Sequence, residues 1–151
     1  MTLSLQDLSD RAEIQDLIVA YSYAVDTRDF DALEALFTPD AFIDYTAMGG
    51  ISGDPATIKQ WLGEVMPFFS TFQHFAGLTK ITLLGDEAET VSMCHNPMTF
   101  AHKDGTTHTW TCGLWYHDRF LRTPDGWRMT RRVEEKGYFT NLPPGMPEPG
   151  T

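Results

Sequence analysis

The first half of the chain carries hydrophobic residues at the spacing of helices. Between residues 9 and 25 the apolar side chains recur every three or four positions, which places them on one face of a helix. Ser9 or Asp10, followed by Glu13, supplies an N-cap signal at the start of this stretch. We therefore predict an amphipathic helix that begins at Ser9 or Asp10 and ends near Asp26.

Three shorter elements are predicted before residue 74. They are a short helix from about 29 or 31 to 37, a short strand at 41–45, and a helix from 54 to just before 67. The first of these helices is stopped by Pro39, and the second has Asp54 as its N-cap and Pro55 at its first helical position. The apolar segment from Pro67 to Phe75 fits either a helix or a strand.

After His74 the hydrophobic period changes from about 3.6 to about 2, which is the alternation typical of strands. Turn signals occur at 85–86, 104–105 and 124–126. They divide the rest of the chain into strands at 76–84, 88–102, 107–121 and 127–138. Long strands joined by tight turns predict a strongly curved antiparallel sheet whose concave side is covered by the N-terminal helices, which is an α+β fold.

The chain has 151 residues, the length of one domain. We assign residues 1–141 to that domain and expect no regular structure in the Pro- and Gly-rich tail at 142–151, which is either loose or laid across the surface. The first residues lack the basic and apolar regions of a signal peptide. Cys94 and Cys112 are too few for a disulfide framework, so we expect a cytoplasmic protein with reduced thiols.

The charge balance argues against a nucleic-acid partner. The net charge is −10, whereas nucleic-acid binding requires a stripe of Lys and Arg. One segment is rich in arginine but also contains acidic residues, so we expect its arginines at outward positions of two strands: Arg119, Arg122, Arg128, Arg131 and Arg132. No apolar run approaches the ~20 residues that span a bilayer, so a membrane is not an expected partner either.

The five histidines do not have the spacing of a metal site. His74, His95, His102, His108 and His117 include no pair four residues apart, and neither cysteine belongs to a C-x-x-C motif. The sequence also lacks a G-x-S-x-G nucleophile motif and a phosphate-binding glycine loop. We therefore expect no metal and no other cofactor.

Three polar residues stand among hydrophobic ones: Asp26 ends the first helix, Tyr45 ends a short strand, and His74 lies between aromatic residues. Such a set suits proton transfer. A carboxylate orients an imidazole that acts as a base, and a phenol donates a hydrogen bond to a carbonyl oxygen as charge develops there. Each residue also has a structural interpretation: Asp26 as a cap for the next turn, His74 as a hydrogen-bonded core residue, and Tyr45 as a rim tyrosine.

Several motifs carry a resemblance to a known family. The runs VDTRDF at 25–30, IDY at 43–45 and QHF at 73–75 resemble scytalone dehydratase, within the SnoaL-like, nuclear-transport-factor-2-like superfamily that also includes ketosteroid isomerase and limonene epoxide hydrolase. The segments WYHDR at 115–119 and RTPDGWR at 122–128 are typical of SnoaL-like proteins. The resemblance implies a cone-shaped sheet, helices that close an apolar pocket, and cofactor-free dehydration of a ring ketone. It also implies that His74 transfers the proton, Asp26 orients the imidazole, and Tyr45 holds the carbonyl oxygen directly or through a water.

The chain departs from the family pattern at several polar positions. Val25 stands where the family has a tyrosine, and Tyr21, one helical turn earlier, is the candidate to replace it. The family's second catalytic histidine falls near Met98, and its serine and asparagine fall near Trp110 and Cys112. The predicted substrate contacts are Tyr21, Val25, Met48, Met98, Trp110 and Cys112. This set implies a more apolar pocket than the family's and a small apolar or aromatic ketone as ligand.

Two other functions stay open from the sequence. One is an isomerase or polyketide cyclase in which a carboxylate is the base, and the other is a non-catalytic binding module on the same fold. Large apolar residues alternate along the predicted strands at Met98, Phe100, Trp110 and Trp115. One sheet face is expected to line the cavity and the other to cover a subunit contact, which predicts a dimer or trimer.

Overall fold

The computed structural model describes residues 2–149 and is an α+β fold in which two α-helices pack on a curved, open sheet of seven strands. The helices are α1 (Leu5–Asp26) and α2 (Pro55–Val65). The strands are β1 (Phe37–Asp44), β2 (Ser52–Gly53), β3 (Thr71–Phe72), β4 (Phe75–Leu84), β5 (Glu87–Ala101), β6 (Thr107–Thr123) and β7 (Gly126–Thr140). Short 3-10 turns occupy Phe30–Ala35, Thr46–Met48 and Met66–Phe68.

The long strands form an antiparallel meander, and the sheet order is β2-β1-β7-β6-β5-β3, with β4 also paired to β5. Strand β1 joins the meander in parallel beside β7. The ends of β4 to β7 lie within two residues of the limits predicted from the turn signals. The predicted α+β class with a curved, mostly antiparallel sheet is confirmed.

Helix α1 begins earlier than predicted. Its N-cap is Ser4, whose hydroxyl accepts from the backbone N–H of Asp7, while the Asp7 carboxylate accepts from the Ser4 N–H at 2.8 Å. Asp10, one of the two predicted caps, is buried and pairs with Arg122. The prediction at Ser9 or Asp10 was wrong because the apolar pattern starts only near Ile14, ten residues after the actual N-cap at Ser4.

The short helix predicted from about 29 or 31 to 37 is a 3-10 segment and ends earlier than predicted. Residues 30–35 form a single 3-10 segment, and β1 already starts at Phe37 and contains Pro39. The proline is tolerated because the pairing of β1 with β7 is irregular between Phe37 and Phe42. The predicted helix capped by Asp54 is confirmed as α2, and the Asp54 carboxylate accepts from Thr57 N–H at 2.8 Å.

Two arginines that were expected to face outward do not. Arg132 is fully buried and forms a bidentate ion pair with Asp118. Its Nε and Nη2 donate to the two carboxylate oxygens at 2.8 and 2.7 Å. Its guanidinium carbon lies 3.9 Å from the ring centre of Tyr21 and 4.2 Å from that of Tyr116. Arg122 turns inward to the Asp10 carboxylate. The positions were misassigned because a charge is placed in the interior only when a partner neutralises it, and sequence spacing does not show that partner.

The outer face of the sheet, opposite the helices, carries an apolar groove of about 380 Å³. Its walls include the exposed side chains of Phe75, Leu78, Met93 and Tyr138, together with Trp115. We call these five residues the outer groove.

The described part of the tail, residues 142–149, contains neither helix nor strand, and residues 150–151 lie outside the described chain. Its end lies on β7, where Lys136 donates to the Glu148 carboxylate and to the Pro149 carbonyl. A Cβ at Gly49 would approach Pro149 to 3.0 Å, so the tail also touches the turn after β1. No helix within residues 2–149 is long and apolar enough to cross a membrane.

Candidate active site

A small cavity of about 100 Å³ lies between α1, α2 and the concave face of the sheet. Its apolar wall contains three methionines, Met48, Met66 and Met98, and the aromatic ring of Trp61. Its polar wall consists of Tyr21, Tyr45, His74, Asn96, Tyr116 and Glu134. The apolar sheet face therefore encloses a small group of polar side chains, which is the usual composition of a small-molecule site.

His74 and Asp26 form a hydrogen-bonded pair at one side of the cavity. Asp26 is the last residue of α1, and His74 stands immediately before β4. The Asp26 carboxylate lies 2.7 Å from His74 Nδ1 and also accepts the backbone N–H of His74 at 2.9 and 3.1 Å. A carboxylate accepts only, so Nδ1 carries the hydrogen and Nε2 is left as the acceptor.

The amide of Asn96 completes the orientation of this ring. Its Nδ2 lies 3.2 Å from His74 Nε2, and an amide N–H donates to the acceptor that Nε2 provides. The Asn96 Oδ1 is buried without a hydrogen-bond partner among residues 2–149. The imidazole is thus held from both nitrogens, and its side chain is only 8% exposed.

The phenols of Tyr21 and Tyr45 meet beside the histidine, with 2.5 Å between their hydroxyl oxygens. Burial raises the pKa of Tyr21 to about 12 and the pKa of Tyr45 well above its usual value. Both phenols are therefore uncharged at neutral pH. One of the two O–H groups donates to the other, so the pair retains one hydrogen for a ligand.

Glu134 enters the cavity from β7, opposite Tyr116 in the strand register. Its Oε2 is buried and has no hydrogen-bond partner in the described chain. Burial raises the pKa of this carboxyl well above its usual value; the positive charge of Arg132 opposes the shift and the negative charge of Asp44 adds to it. Burial thus favours the uncharged form of this carboxyl group.

The structure brings most of the predicted site residues to this one cavity. Tyr21, Val25, Tyr45, Met48, His74, Met98 and Cys112 all line it. Asp26 lies behind the imidazole, in the wall of a separate surface depression. Burial raises the pKa of Cys112 to about 12, so it contributes an uncharged thiol. Cys94 and Cys112 are both free and buried.

Trp110 does not line the cavity, which corrects its assignment as a substrate contact. It pairs with Met98 across β5 and β6, and its ring stacks on Phe69 with 6.2 Å between ring centres. Phe69 follows the 3-10 turn after α2, so this turn covers the indole and keeps it from the cavity. Asp44, the residue before Tyr45, accepts hydrogen bonds from the N–H and hydroxyl of Thr46.

Asn96 and Glu134 are the site residues that sequence reasoning missed. The available signal was strand parity, because Asn96 shares the buried face of β5 with Cys94 and Met98. For Glu134 a count from the buried Trp127 and Met129 fails, since the pairing of β6 with β7 shifts register between Arg119 and Phe120, which lies between Met129 and Glu134 on β7. Within residues 2–149 no group of three His, Cys, Asp or Glu side chains is placed to hold a metal ion.

Comparison with known proteins adds a family to this geometry. A sequence profile of the SnoaL-like domain matches residues 6–133. Rv2910c, an uncharacterized protein of Mycobacterium tuberculosis (strain ATCC 25618 / H37Rv), is 51% identical over 136 residues, which cover 90% of this chain and 91% of that protein.

Two solved structures share the fold at lower identity. A proposed scytalone dehydratase from Novosphingobium aromaticivorans has a TM-score of 0.80 at 19% identity and covers 95% of each chain. The hexachlorocyclohexane dehydrochlorinase LinA-type3 from Novosphingobium barchaimii has a TM-score of 0.79 at 21% identity, over 94% of this chain and 95% of that one. At these identities the two structures establish the fold of the chain.

Proposed function

The chain belongs to the SnoaL-like domain family, and from that fold and the geometry of its cavity we propose that it is a cofactor-free hydro-lyase that removes water from a small cyclic hydroxy ketone. The observation that carries this proposal is the contact of 2.7 Å between His74 Nδ1 and the Asp26 carboxylate, with Nε2 on the cavity side. An imidazole oriented in this way is a suitable base for carbon-bound protons that a neighbouring carbonyl makes acidic.

In the proposed reaction, the ligand displaces the Asn96 amide from His74 Nε2, which then takes a proton from the carbon beside the carbonyl group. The electron pair of that C–H bond forms a carbon–carbon double bond, and the bond to the hydroxyl on the next carbon breaks. The imidazolium gives its proton to the departing hydroxyl, so water leaves and His74 is neutral again. The Asp26 carboxylate stabilises the imidazolium between these two steps.

The two phenols support this reaction at the carbonyl oxygen. Negative charge grows on that oxygen when the neighbouring carbon loses its proton, and a fixed donor stabilises it. Tyr21 and Tyr45 are buried and uncharged, and their shared hydrogen bond leaves one O–H for the ligand. We therefore assign the carbonyl oxygen to the Tyr45 side of the cavity.

The size and lining of the cavity favour a single uncharged ring. Its volume of about 100 Å³ is smaller than the ~150 Å³ cavity that holds benzene in another protein. Methionine side chains repack easily, and Met48, Met66 and Met98 form much of the wall. A ring ketone fits once these side chains shift, whereas the buried position offers no cation to a charged ligand other than Arg132, which Asp118 already neutralises.

The isomerase alternative has less support from the geometry. It requires an ionised carboxylate that faces the ligand. Asp26 directs both oxygens at His74, and burial raises the pKa of Glu134, which disfavours its ionised form. The imidazole is therefore the better base of the site. The following test distinguishes an enzyme from a binding module that performs no chemistry.

The test uses 3-hydroxycyclohexanone, whose dehydration to cyclohexenone is followed by ultraviolet absorbance. We expect the wild type to accelerate the reaction and His74→Ala to reduce the rate at least ~100-fold, because general base catalysis contributes about 10²–10⁴-fold. His102→Ala is the matched control, since His102 is exposed in the β5–β6 turn. A His74→Ala enzyme within tenfold of wild type would refute the assigned base. Tight binding of cyclohexanone without any turnover would establish the binding module instead.

The proposal also retains two expectations from the sequence. We propose that the protein forms a homo-oligomer through the outer groove, because Phe75 and Leu78 are 76% and 85% exposed there. A cytoplasmic location stays a prediction, consistent with two free cysteines.

A further inference from the structure

The cavity contains two buried oxygens that no protein group satisfies. They are Glu134 Oε2 and Asn96 Oδ1, and both residues line the same cavity. Buried polar atoms are almost always hydrogen-bonded, since an unpaired one is costly. Two such atoms around one small space offer hydrogen-bonding partners to the polar atoms of a ligand.

The surroundings of Glu134 determine what it offers to that ligand. The titratable and charged side chains around the cavity are Tyr21 on α1, Asp44 on β1, Tyr45, His74, Cys94 on β5, Cys112 and Tyr116 on β6, and Arg132 on β7. Arg132 carries a positive charge in this set, and that charge is directed to Asp118. No donor contacts the Glu134 carboxyl in the described chain, so the protonated form is favoured there.

Glu134 can also supply a hydrogen-bond donor that the family pattern has and this chain lacks. The helix position before Asp26 is Val25, which cannot donate, so the phenol pair supplies one free O–H to the carbonyl oxygen. Glu134 lines the same small cavity as both phenols, and its ionised form would raise the pKa of Tyr21 and of Tyr45. A second potential donor is therefore available in this cavity.

We infer that Glu134, as an uncharged carboxylic acid, donates a hydrogen bond to the ligand oxygen that the Tyr21–Tyr45 pair also binds. The site then has two donors for one oxygen and selects ligands with an uncharged carbonyl that becomes negative during reaction, or with a phenolate oxygen. Carboxylate ligands are disfavoured because their second charged oxygen would need a further donor, and much of the cavity wall is apolar. This inference rests on the proposed function for its carbonyl ligand, but it concerns binding and not turnover.

The test measures binding of 4-nitrophenol, whose ionised form is detected by its visible absorbance. We expect the wild type to bind the phenolate, Glu134→Gln to bind it within about threefold because the amide still donates, and Glu134→Leu to bind it at least about tenfold more weakly. Glu135→Leu is the matched control, because Glu135 is the next residue on β7 and its exposed carboxylate contacts His117.

Three results would overturn the inference. Phenolate binding to Glu134→Gln tenfold tighter than to wild type would show that Glu134 is ionised and repels the ligand. Unchanged binding to Glu134→Leu, folded by circular dichroism, would show that Glu134 does not contact it. Absence of phenolate binding to the wild type at millimolar concentration would show that the two-donor site does not exist.

A second readout examines the protonation of Glu134 directly. The infrared difference spectrum between wild type and Glu134→Gln at neutral pH should contain the carbonyl stretch of an uncharged acid, and carboxylate bands alone would contradict the inference. Neither measurement depends on dehydration. A wild type that binds phenolate but does not dehydrate hydroxy ketones would refute the proposed function and leave the role of Glu134 intact.

Discussion

At the scale of single residues, two buried acids show how local donors decide the charge of a carboxyl group. Asp10 is 3% exposed, and it accepts hydrogen bonds from Arg122 at 2.6 and 2.7 Å and from Trp127 at 3.1 Å. These donors hold the pKa of Asp10 well below its usual value. Glu134 has no donor, and burial raises its pKa. Local donors therefore favour the ionised form of the carboxyl group at Asp10, and their absence together with burial favours the uncharged form at Glu134.

Glu134→Gln should stabilise the protein by an amount that grows with pH. The unfolded chain ionises Glu134 near the ordinary pKa of ~4.3, whereas the folded protein keeps it protonated to higher pH. Above that pH Glu134 holds a proton in the folded state that it has lost in the unfolded state, so the contribution of Glu134 to the free energy of unfolding falls as pH rises. The slope is at most about 1.4 kcal/mol per pH unit up to the folded pKa. Glutamine does not titrate and lacks this loss.

Urea denaturation of both proteins at several pH values between about 4 and 7 measures this difference. Glu135→Gln is the control, because its carboxylate is exposed on the same strand. Stability curves for wild type and Glu134→Gln that run parallel over the whole range would mean that Glu134 is ionised in the folded protein.

The site residues that lie in short local motifs could be predicted from the sequence, and those inside long strands could not. Asp26, Tyr45 and His74 lie in short runs whose neighbours are hydrophobic, and the structure places the last two on the cavity and the first behind His74. Their chemical roles stay predictions. Asn96 and Glu134 lie inside long strands, where only the register identifies the inward face, and the shift between β6 and β7 cannot be read from composition.

At the scale of elements, turns were predicted more reliably than helix starts. Gly85 and Gly105 adopt positive φ at the hairpin turns, a conformation that glycine favours, and this fixes the strand ends within two residues. The start of α1 is set by a capping box at Ser4, which precedes the hydrophobic pattern. The pattern therefore does not indicate where the helix begins. The 3-10 segment at 30–35 and strand β1 were misassigned because tertiary pairing with β7 outweighs local helical spacing.

The buried pair of Asp118 and Arg132 links β6 to β7 behind the phenols. Arg132→Met should lower the free energy of unfolding by roughly 3–5 kcal/mol, because it leaves the buried Asp118 without its partner. Asp118→Leu should cost a similar amount for the same reason. The double variant should be markedly more stable than the sum of the two losses predicts, since no unpaired charge remains.

A double-mutant cycle by urea denaturation measures this coupling, and the exposed pair of Arg119 and Glu89 on neighbouring strands is its control. That pair is separated by 3.2 Å but is open to solvent, so its coupling should stay below about 1 kcal/mol. Equal coupling energies for the two pairs would contradict a special role for the buried one. Loss of Arg132 should also weaken 4-nitrophenol binding, because its guanidinium packs on the ring of Tyr21.

At the scale of the whole molecule, the two faces of the sheet carry different kinds of surface. The concave face, beneath α1 and α2, contains the cavity with its polar wall. The opposite face carries the outer groove, where apolar side chains are exposed on a chain whose net charge is −10. Exposed apolar patches of this kind are typical of protein–protein contacts. The sheet lies between the outer groove and the cavity.

The outer groove should mediate self-association, and Leu78 is the residue best suited to test it. Leu78 is 85% exposed at an irregular point of β4 with φ of 49°, a left-handed conformation that aspartate tolerates better than leucine. Leu78→Asp should therefore leave the fold intact and place a charge in the groove. Light scattering after size exclusion should give a dimer or trimer for the wild type and a smaller species for the variant. Leu5→Asp, at an equally exposed leucine in the first turn of α1, should not change the mass. A monomeric wild type, or a variant of unchanged mass, would refute an interface at the outer groove.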